Sequence, residues 1–199
     1  MSNLQQRIIT GFMLLTVLTF ILRLPQDGFS GAILILSGVL YWEWWRLVPH
    51  WLGRVLGLVY VLVPMLCLLL LRLNGIEYII YIFLVVAATD IGAFFAGRKI
   101  GGPKLAPKIS PNKTWAGLLG GMVCASIFSY FFEVPYPILL GLLLALVSQM
   151  GDLFESWLKR RVGVKDSSNL LPGHGGFLDR LDGLLFAVPA LYLVLHVIY

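Results

Sequence analysis

A chain of 199 residues that is 59% hydrophobic and only 13% charged, with a mean hydropathy of +0.88, carries too much apolar surface for a soluble domain of its size. The composition calls for an all-α, polytopic membrane protein. A net charge of +5 would suggest a nucleic-acid partner in a soluble protein, but here the bases fall in short stretches between apolar runs, where they orient the chain, so no nucleic acid is expected. Cys67 and Cys124 lie inside apolar runs with no second Cys or His at ligand spacing, which argues against a zinc site or a disulfide framework.

Apolar runs of about 20 residues, enough to cross a bilayer, fall near 8–25, 29–48, 52–72, 76–97, 115–132, 136–158 and 176–198. Seven transmembrane helices are expected. The first run follows Arg7 and ends in LPQDGFSG, not in a small-residue cleavage site, so it reads as a retained helix and not a signal peptide. Pro25 with Gly28, Pro49, Asn74-Gly75, and Pro135 with Pro137 punctuate the spans. Trp42, Trp44 and Trp45 near the end of span two read as an interfacial anchor.

Taking the N-terminus as cytoplasmic puts twelve cations on one face: Arg7, Arg46, Arg54, Arg98, Lys99, Lys104, Lys108, Lys113, Lys159, Arg160, Arg161 and Lys165. Only Arg23 and Arg72 fall on the other. That asymmetry expects the N-terminus inside and, with seven spans, the C-terminus outside. No linker separates soluble domains, so residues 1–199 read as one membrane domain, with scaffold helices in 1–75 and the helices and loops that carry chemistry in 76–199.

The two cytoplasmic loops are longer and more polar than a helix connection requires. The first reads RKIGGPKLAPKISPNKT over 98–114; its glycines and prolines prevent a helix, and Lys104, Lys108 and Lys113 with Ser110 and Thr114 suit phosphate oxygens. The same lysines also serve as positive-inside determinants, and the loop alone does not separate the two roles. At the end of span six, Asp152, Glu155, Ser156 and Lys159 share one helical face; Asp179 and Asp182 share a face at the start of span seven, and Asp90 lies in the last third of span four. Carboxylates at such depth cost roughly 2.5–3.5 kcal/mol each and normally face a partner or a cavity. Lys159, Arg160, Arg161, Lys165 and Arg180 could pair with them; their excess with hydroxyl neighbours also suits a hard cation such as Mg2+, which recruits phosphates to complete its shell. The turn Pro172-Gly173-His174-Gly175-Gly176 permits backbone N–H groups to approach an anion at a helix N-terminus.

Residues 156–182, SWLKRRVGVKDSSNLLPGHGGFLDRLD, have the spacing S-x-x-K-R-x4-K-D-x5-P-G-H-G-G-x-x-D-R-x-D. This closely resembles the signature of the phosphatidate cytidylyltransferases, the CDP-diacylglycerol synthases. The K-x-S-P-x-K-T-W core of the first loop resembles a segment that family carries upstream, and the likeness runs from about Ile80 to the C-terminus, with R-I-I-T-G and W-E-W as weaker echoes. Members are usually longer; this chain reads as lacking several helices between its N-terminal hairpin and span four.

The resemblance implies transfer of a cytidylyl group from CTP to phosphatidic acid, with Mg2+, and with a second cation as an option. It implies metal ligation by Asp152, Asp179 and Asp182, and catalytic parts for those three with Lys165 and His174. Substrate contacts are expected from Asp90, Lys108, Ser110, Lys113, Thr114, Ser156, Lys159, Arg160, Asp166, Gly175, Gly176 and Arg180. The expected setting is a bacterial inner membrane with the site on the cytoplasmic side, and a homodimer is expected on base rates alone. A CTP-dependent lipid kinase of the dolichol-kinase type and a transporter are the rival readings. Transporters place their substrate sites at the bilayer midplane, whereas these carboxylates cluster toward one face.

Overall fold

Each apolar run closes into a helix, because a backbone in hydrocarbon must satisfy its own hydrogen bonds. The computed structural model describes residues 3–198, and in chain order the helices are α1 (Asn3–Arg23), α2 (Gln26–Leu47), α3 (Trp51–Asn74), α4 (Ile76–Lys99), α5 (Trp115–Ser129), α6 (Pro137–Arg161) and α7 (Leu178–Leu193), the last continuing into a π turn at Val194–Ile198. Pro25 caps α2 and Pro137 opens α6, where a missing N–H costs nothing. Gly75, at φ +155°, makes the break between α3 and α4.

Among the described residues, four helices are long and apolar enough to cross a membrane: Leu4–Arg23 within α1, α3, α4 and α6. The shorter α5 is also apolar. Outside that group fall α2, whose last turns carry Glu43 and three tryptophans, and the 16-residue α7, which starts with Asp179, Arg180 and Asp182.

Small residues bring the helices that carry the site together. Along the α4–α5 seam a Cβ on Gly92 would lie 2.5 Å from the Cys124 Cβ, one on Gly121 would lie 2.8 Å from the Thr89 carbonyl, and one on Gly120 would strike Ala96. Where α6 crosses α7, Gly151 packs on the Asp182 carbonyl and Gly183 on Ser148. Close backbone approach of this kind is how membrane helices gain packing without a hydrophobic drive between them. Leu40, Leu71, Tyr81, Leu144, Leu185 and Leu191 are fully buried in the core between helices.

The structure extends one expectation and corrects another. The 98–114 segment, expected only to be non-helical, forms a hairpin: β1 (Lys104–Ala106) and β2 (Ser110–Thr114) pair antiparallel, with Lys104 opposite Thr114, around a turn closed by Ile109 N–H to the Ala106 carbonyl at 3.1 Å. Trp44 is not part of an interfacial anchor. It shares the inward face of α2 with Leu40 and Leu47, is 4% exposed, donates Nε1–H to the Gly53 carbonyl at 2.9 Å and packs on Tyr60 and Phe154. Trp42 and Trp45 do face outward, under the Arg46 and Arg54 guanidiniums. Arg72 donates to the Leu24 carbonyl at 3.1 Å, which ties the ends of α1 and α3 together. Arg160 of α6 donates to the Ile109 carbonyl at 3.4 Å and to the Val164 carbonyl at 3.3 Å, and so joins the hairpin to the end of α6 and the 162–177 loop.

Candidate active site

Three helices and the 162–177 loop converge on one polar cavity of about 310 Å3, lined by Asp90 of α4, Asp152 and Lys159 of α6, Asp166 of the loop, and Asp179, Arg180 and Asp182 of α7. The helical spacing explains the delivery, since residues three or four apart share a face. Two relays engage part of this charge. Lys113, carried in by β2, meets Asp152 Oδ2 at 2.5 Å and donates to Gln149 Oε1 at 2.9 Å; Gln149 in turn donates to Asp90 Oδ1 at 3.3 Å, and Ser156 donates to Asp152 Oδ1 at 3.2 Å. Across the cavity the buried Lys159 bonds Asp179 Oδ1 at 2.6 Å and Glu155 Oε2 at 3.2 Å. Glu155 Oε1 remains buried without a partner among the described residues.

Asp179 holds the turn. Its Oδ2 accepts from the Ser167 N–H at 2.8 Å, the Ser167 hydroxyl at 2.9 Å and the Gly176 N–H at 2.8 Å. Gly175, at φ +82°, is where a Cβ would come within 2.6 Å of that oxygen, and Gly176 packs against Ser167 and Glu43. The two glycines therefore serve close packing of the turn on carboxylates. Thr114 likewise supports the fold, since it is buried as the N-cap of α5 and accepts from the Gly117 N–H at 3.0 Å. Lys108 is exposed in the hairpin turn and Ser110 begins β2.

Two further cavities adjoin the central one. The first, about 490 Å3, shares Asp90 and Asp152 with it and runs between α4, α5 and β2, where Ala93, Phe94 and Leu118 give apolar walls beside Arg98, Asn112 and Lys113. The second, about 540 Å3, shares Asp166 and Arg180 and runs between α1 and the loop, lined also by Arg7, Lys165, Asn169 and His174. Arg180 Nε donates to the His174 carbonyl at 2.9 Å. Burial, reinforced by the Arg180 and Arg7 charges, pulls the His174 imidazole below its ordinary pKa, and its Nδ1 is buried with no partner among the described residues.

A divalent cation can be tested against this donor set. Among the described residues no three His, Cys, Asp or Glu side chains are gathered as a ready-made cage. Mg2+ does not require one, because it keeps waters and binds through one or two carboxylates plus substrate phosphates. Asp90, Asp152 and Asp182 offer hard oxygens to one cavity, so the residues fit; Asp152 already pairs with Lys113, and Asp179 is committed to Lys159 and the turn.

Sequence reasoning missed Gln149, Ser167 and Ser168, and two residues of the N-terminal helices. Glu43 of α2 is fully buried, and it accepts from the Ser168 hydroxyl at 2.6 Å, the Leu178 N–H at 2.7 Å, the Phe177 N–H at 3.1 Å and the Ser167 hydroxyl at 3.3 Å. Its signal was a lone carboxylate inside an apolar span. Arg7 was read only as a topology determinant.

A helical membrane protein that gathers carboxylates and cations around one cavity, between an apolar-walled pocket and a cationic one, is built to handle phosphates at a bilayer. The chain belongs to the cytidylyltransferase family, whose sequence model matches residues 48–198. The phosphatidate cytidylyltransferase of Brucella suis biovar 1 is 38% identical over 253 aligned residues, covering 97% of this chain and 93% of the relative. That of Rickettsia bellii is 36% identical over 211 residues, covering 97% and 91%, and the 253-residue alignment to the Brucella relative exceeds the 199 residues of this chain, in keeping with members usually being longer. That of Bacillus subtilis is 49% identical over 129 residues, covering 61% of this chain and 48% of the relative.

Proposed function

We propose that this protein transfers the cytidylyl group of CTP to phosphatidate. A phosphate oxygen of the lipid attacks the α-phosphorus, the bond from that phosphorus to the α,β-bridging oxygen breaks, and CDP-diacylglycerol and pyrophosphate result. The observation that carries the reading is the central carboxylate cavity with Lys159 and Arg180, flanked by one apolar-walled and one cationic cavity.

A phosphate monoester is already an anionic nucleophile near neutral pH, so the obstacle is bringing two polyanions together. Lys165 and Arg180 reduce that repulsion with fixed charges suited to phosphate oxygens, while Lys113 holds Asp152. Mg2+, held by Asp152 and Asp182 with Asp90 near, would supply Lewis-acid stabilisation of the charge on the leaving group. Lys159 fixes Asp179, and through it the turn that presents His174.

The orientation belongs to the same reading: seven spans, the N-terminus and both loops cytoplasmic, in an inner membrane, on the strength of twelve cations against two. The test is to incubate the purified protein with phosphatidate, Mg2+ and each nucleotide in turn. CDP-diacylglycerol is expected from CTP; label from the γ-phosphate appearing in the lipid would replace the reading with a lipid kinase.

A further inference from the structure

We propose that the cavity between the start of α1 and the Leu171–Gly175 turn holds the β- and γ-phosphates of the nucleotide, with Arg7 of α1 as one of its cationic ligands. This rests on the cytidylyl-transfer reading and assigns a place within it; Arg7 lies outside the 48–198 family match.

Three cations, Arg7, Lys165 and Arg180, face this cavity with a single carboxylate, Asp166. Neither Arg7 nor Lys165 has an ion-pair partner among the described residues, in contrast to Lys113 and Lys159, which are both committed to aspartates. Clustered, uncommitted guanidinium and ammonium groups around a glycine turn are what a polyphosphate requires.

The placement of Arg7 is specific. Only 6% of the apolar window of α1 is buried, so this helix has little packing to fix it. Its polar end is nevertheless docked: Thr10 donates to the Pro172 carbonyl at 2.9 Å across 162 residues of sequence, and a Cβ on Gly173, at φ +76°, would lie 2.9 Å from the Arg7 Cγ. The stem of Arg7 therefore lies on the turn, and its head reaches the cavity.

Two phosphates could claim such a site, that of the lipid and those of the nucleotide. The cavity walls include no Phe, Tyr or Trp among the described residues and only Leu171 and Pro172 as apolar members, which offers no course for acyl chains. The other flanking cavity has Ala93, Phe94 and Leu118, with Phe94 56% exposed on the outer surface, and suits the lipid. Because the cationic cavity shares Asp166 and Arg180 with the carboxylate cavity, a nucleotide with its α-phosphate among the carboxylates can extend its leaving group toward Arg7.

The experiment compares the wild type, Arg7→Met, Arg7→Lys and, as a control at the far end of α1, Arg23→Met, all as full-length protein in nanodiscs. Pyrophosphate binding is measured calorimetrically with and without Mg2+, and KM for CTP and for phosphatidate by turnover. Arg7→Met is expected to weaken pyrophosphate binding and raise KM for CTP about 10-fold each, leaving KM for phosphatidate within about 2-fold, because one charge-assisted contact is lost. Arg7→Lys should recover part of both, and Arg23→Met should match the wild type. Unchanged pyrophosphate binding in Arg7→Met overturns the assignment, and a selective rise in KM for phosphatidate gives the cavity to the lipid. A wild type that binds pyrophosphate through Arg7 yet makes no CDP-diacylglycerol would sink the transfer reading and leave the anion site standing.

Discussion

Replacing Glu43 by Ala should loosen the site from a position that touches none of its cavities. The carboxylate is 0% exposed and forms no ion pair among the described residues; four donors and the N-terminus of α7 carry its charge. Truncation strands the Phe177 and Leu178 N–H groups and two serine hydroxyls. Buried donors without partners cost about 1–3 kcal/mol each. The hydroxyls can rotate toward other acceptors, so the expected loss is about 3–5 kcal/mol, a large part of a typical folding free energy of about 5–15 kcal/mol.

At about 2–4 °C per kcal/mol for a chain of this size, that is about 6–20 °C in Tm. Glu43→Gln keeps the shape and one acceptor oxygen but turns an NH2 toward donors, so it should lose about half as much. The assay is thermal unfolding in detergent alongside turnover, with Ser168→Ala completing a double-mutant cycle in which the two changes are far from additive. Turnover should fall with stability, since Ser167 and Gly176 hold Asp179 as well. A Glu43→Ala protein that unfolds within about 2 °C of wild type and keeps its kcat would refute the reasoning.

Asp152→Asn and Asp182→Asn, nearly isosteric, should each abolish turnover while the protein still inserts, and a titration that restores the rate at high Mg2+ would identify the lost charge as a metal contact; near-wild-type rates at low Mg2+ would dismiss it. Lys159→Met strands Glu155 and Asp179 together and should cost about 3–5 kcal/mol, read as a Tm loss that Glu155→Gln partly reverses in the double variant. Because its folded pKa is depressed, His174 favours the native state above the ordinary value of 6.5, and that contribution declines as pH falls below it. Arg7→Met removes one of the charges responsible, so the His174 ring resonances should titrate at higher pH in that variant, and an unmoved titration would separate Arg7 from the turn. Single cysteines at Ala106 and Ser168, in a background with Cys67 and Cys124 replaced by Ala, should react with an impermeant maleimide only from the cytoplasmic side, and one at Arg23 only from the other; opposite labelling of 106 and 168 would divide the proposed site.

How far the molecule was legible in its sequence depended on the range of the interaction. The helices lie within a few residues of the apolar runs because a span must satisfy its own backbone, and proline and glycine end it locally. The carboxylates of α6 and α7 met where spacing put them, since helical periodicity is also local. The hairpin at 104–114 was not legible, because its short strands are stabilised by pairing with each other and by Arg160 reaching from α6, not by any alternation of their own. Trp44 looked like its two neighbours until the face it shares with Leu40 and Leu47 found Tyr60.

The same distinction separates the two parts of the site. Asp152 and Lys159 are read along one helix, but Glu43 acts on residues more than 120 positions away, and Thr10 sets the turn at Pro172 from the first helix. A carboxylate inside an apolar span states that a partner exists without saying which. Here the partner is the start of α7, where Glu43 takes the Phe177 and Leu178 N–H groups just after the PGHGG turn. The N-terminal helices, outside or at the margin of the family match, thus supply contacts that the signature lacks: Glu43 holds the residues that follow the turn, while Thr10 bonds and Arg7 packs on the turn itself.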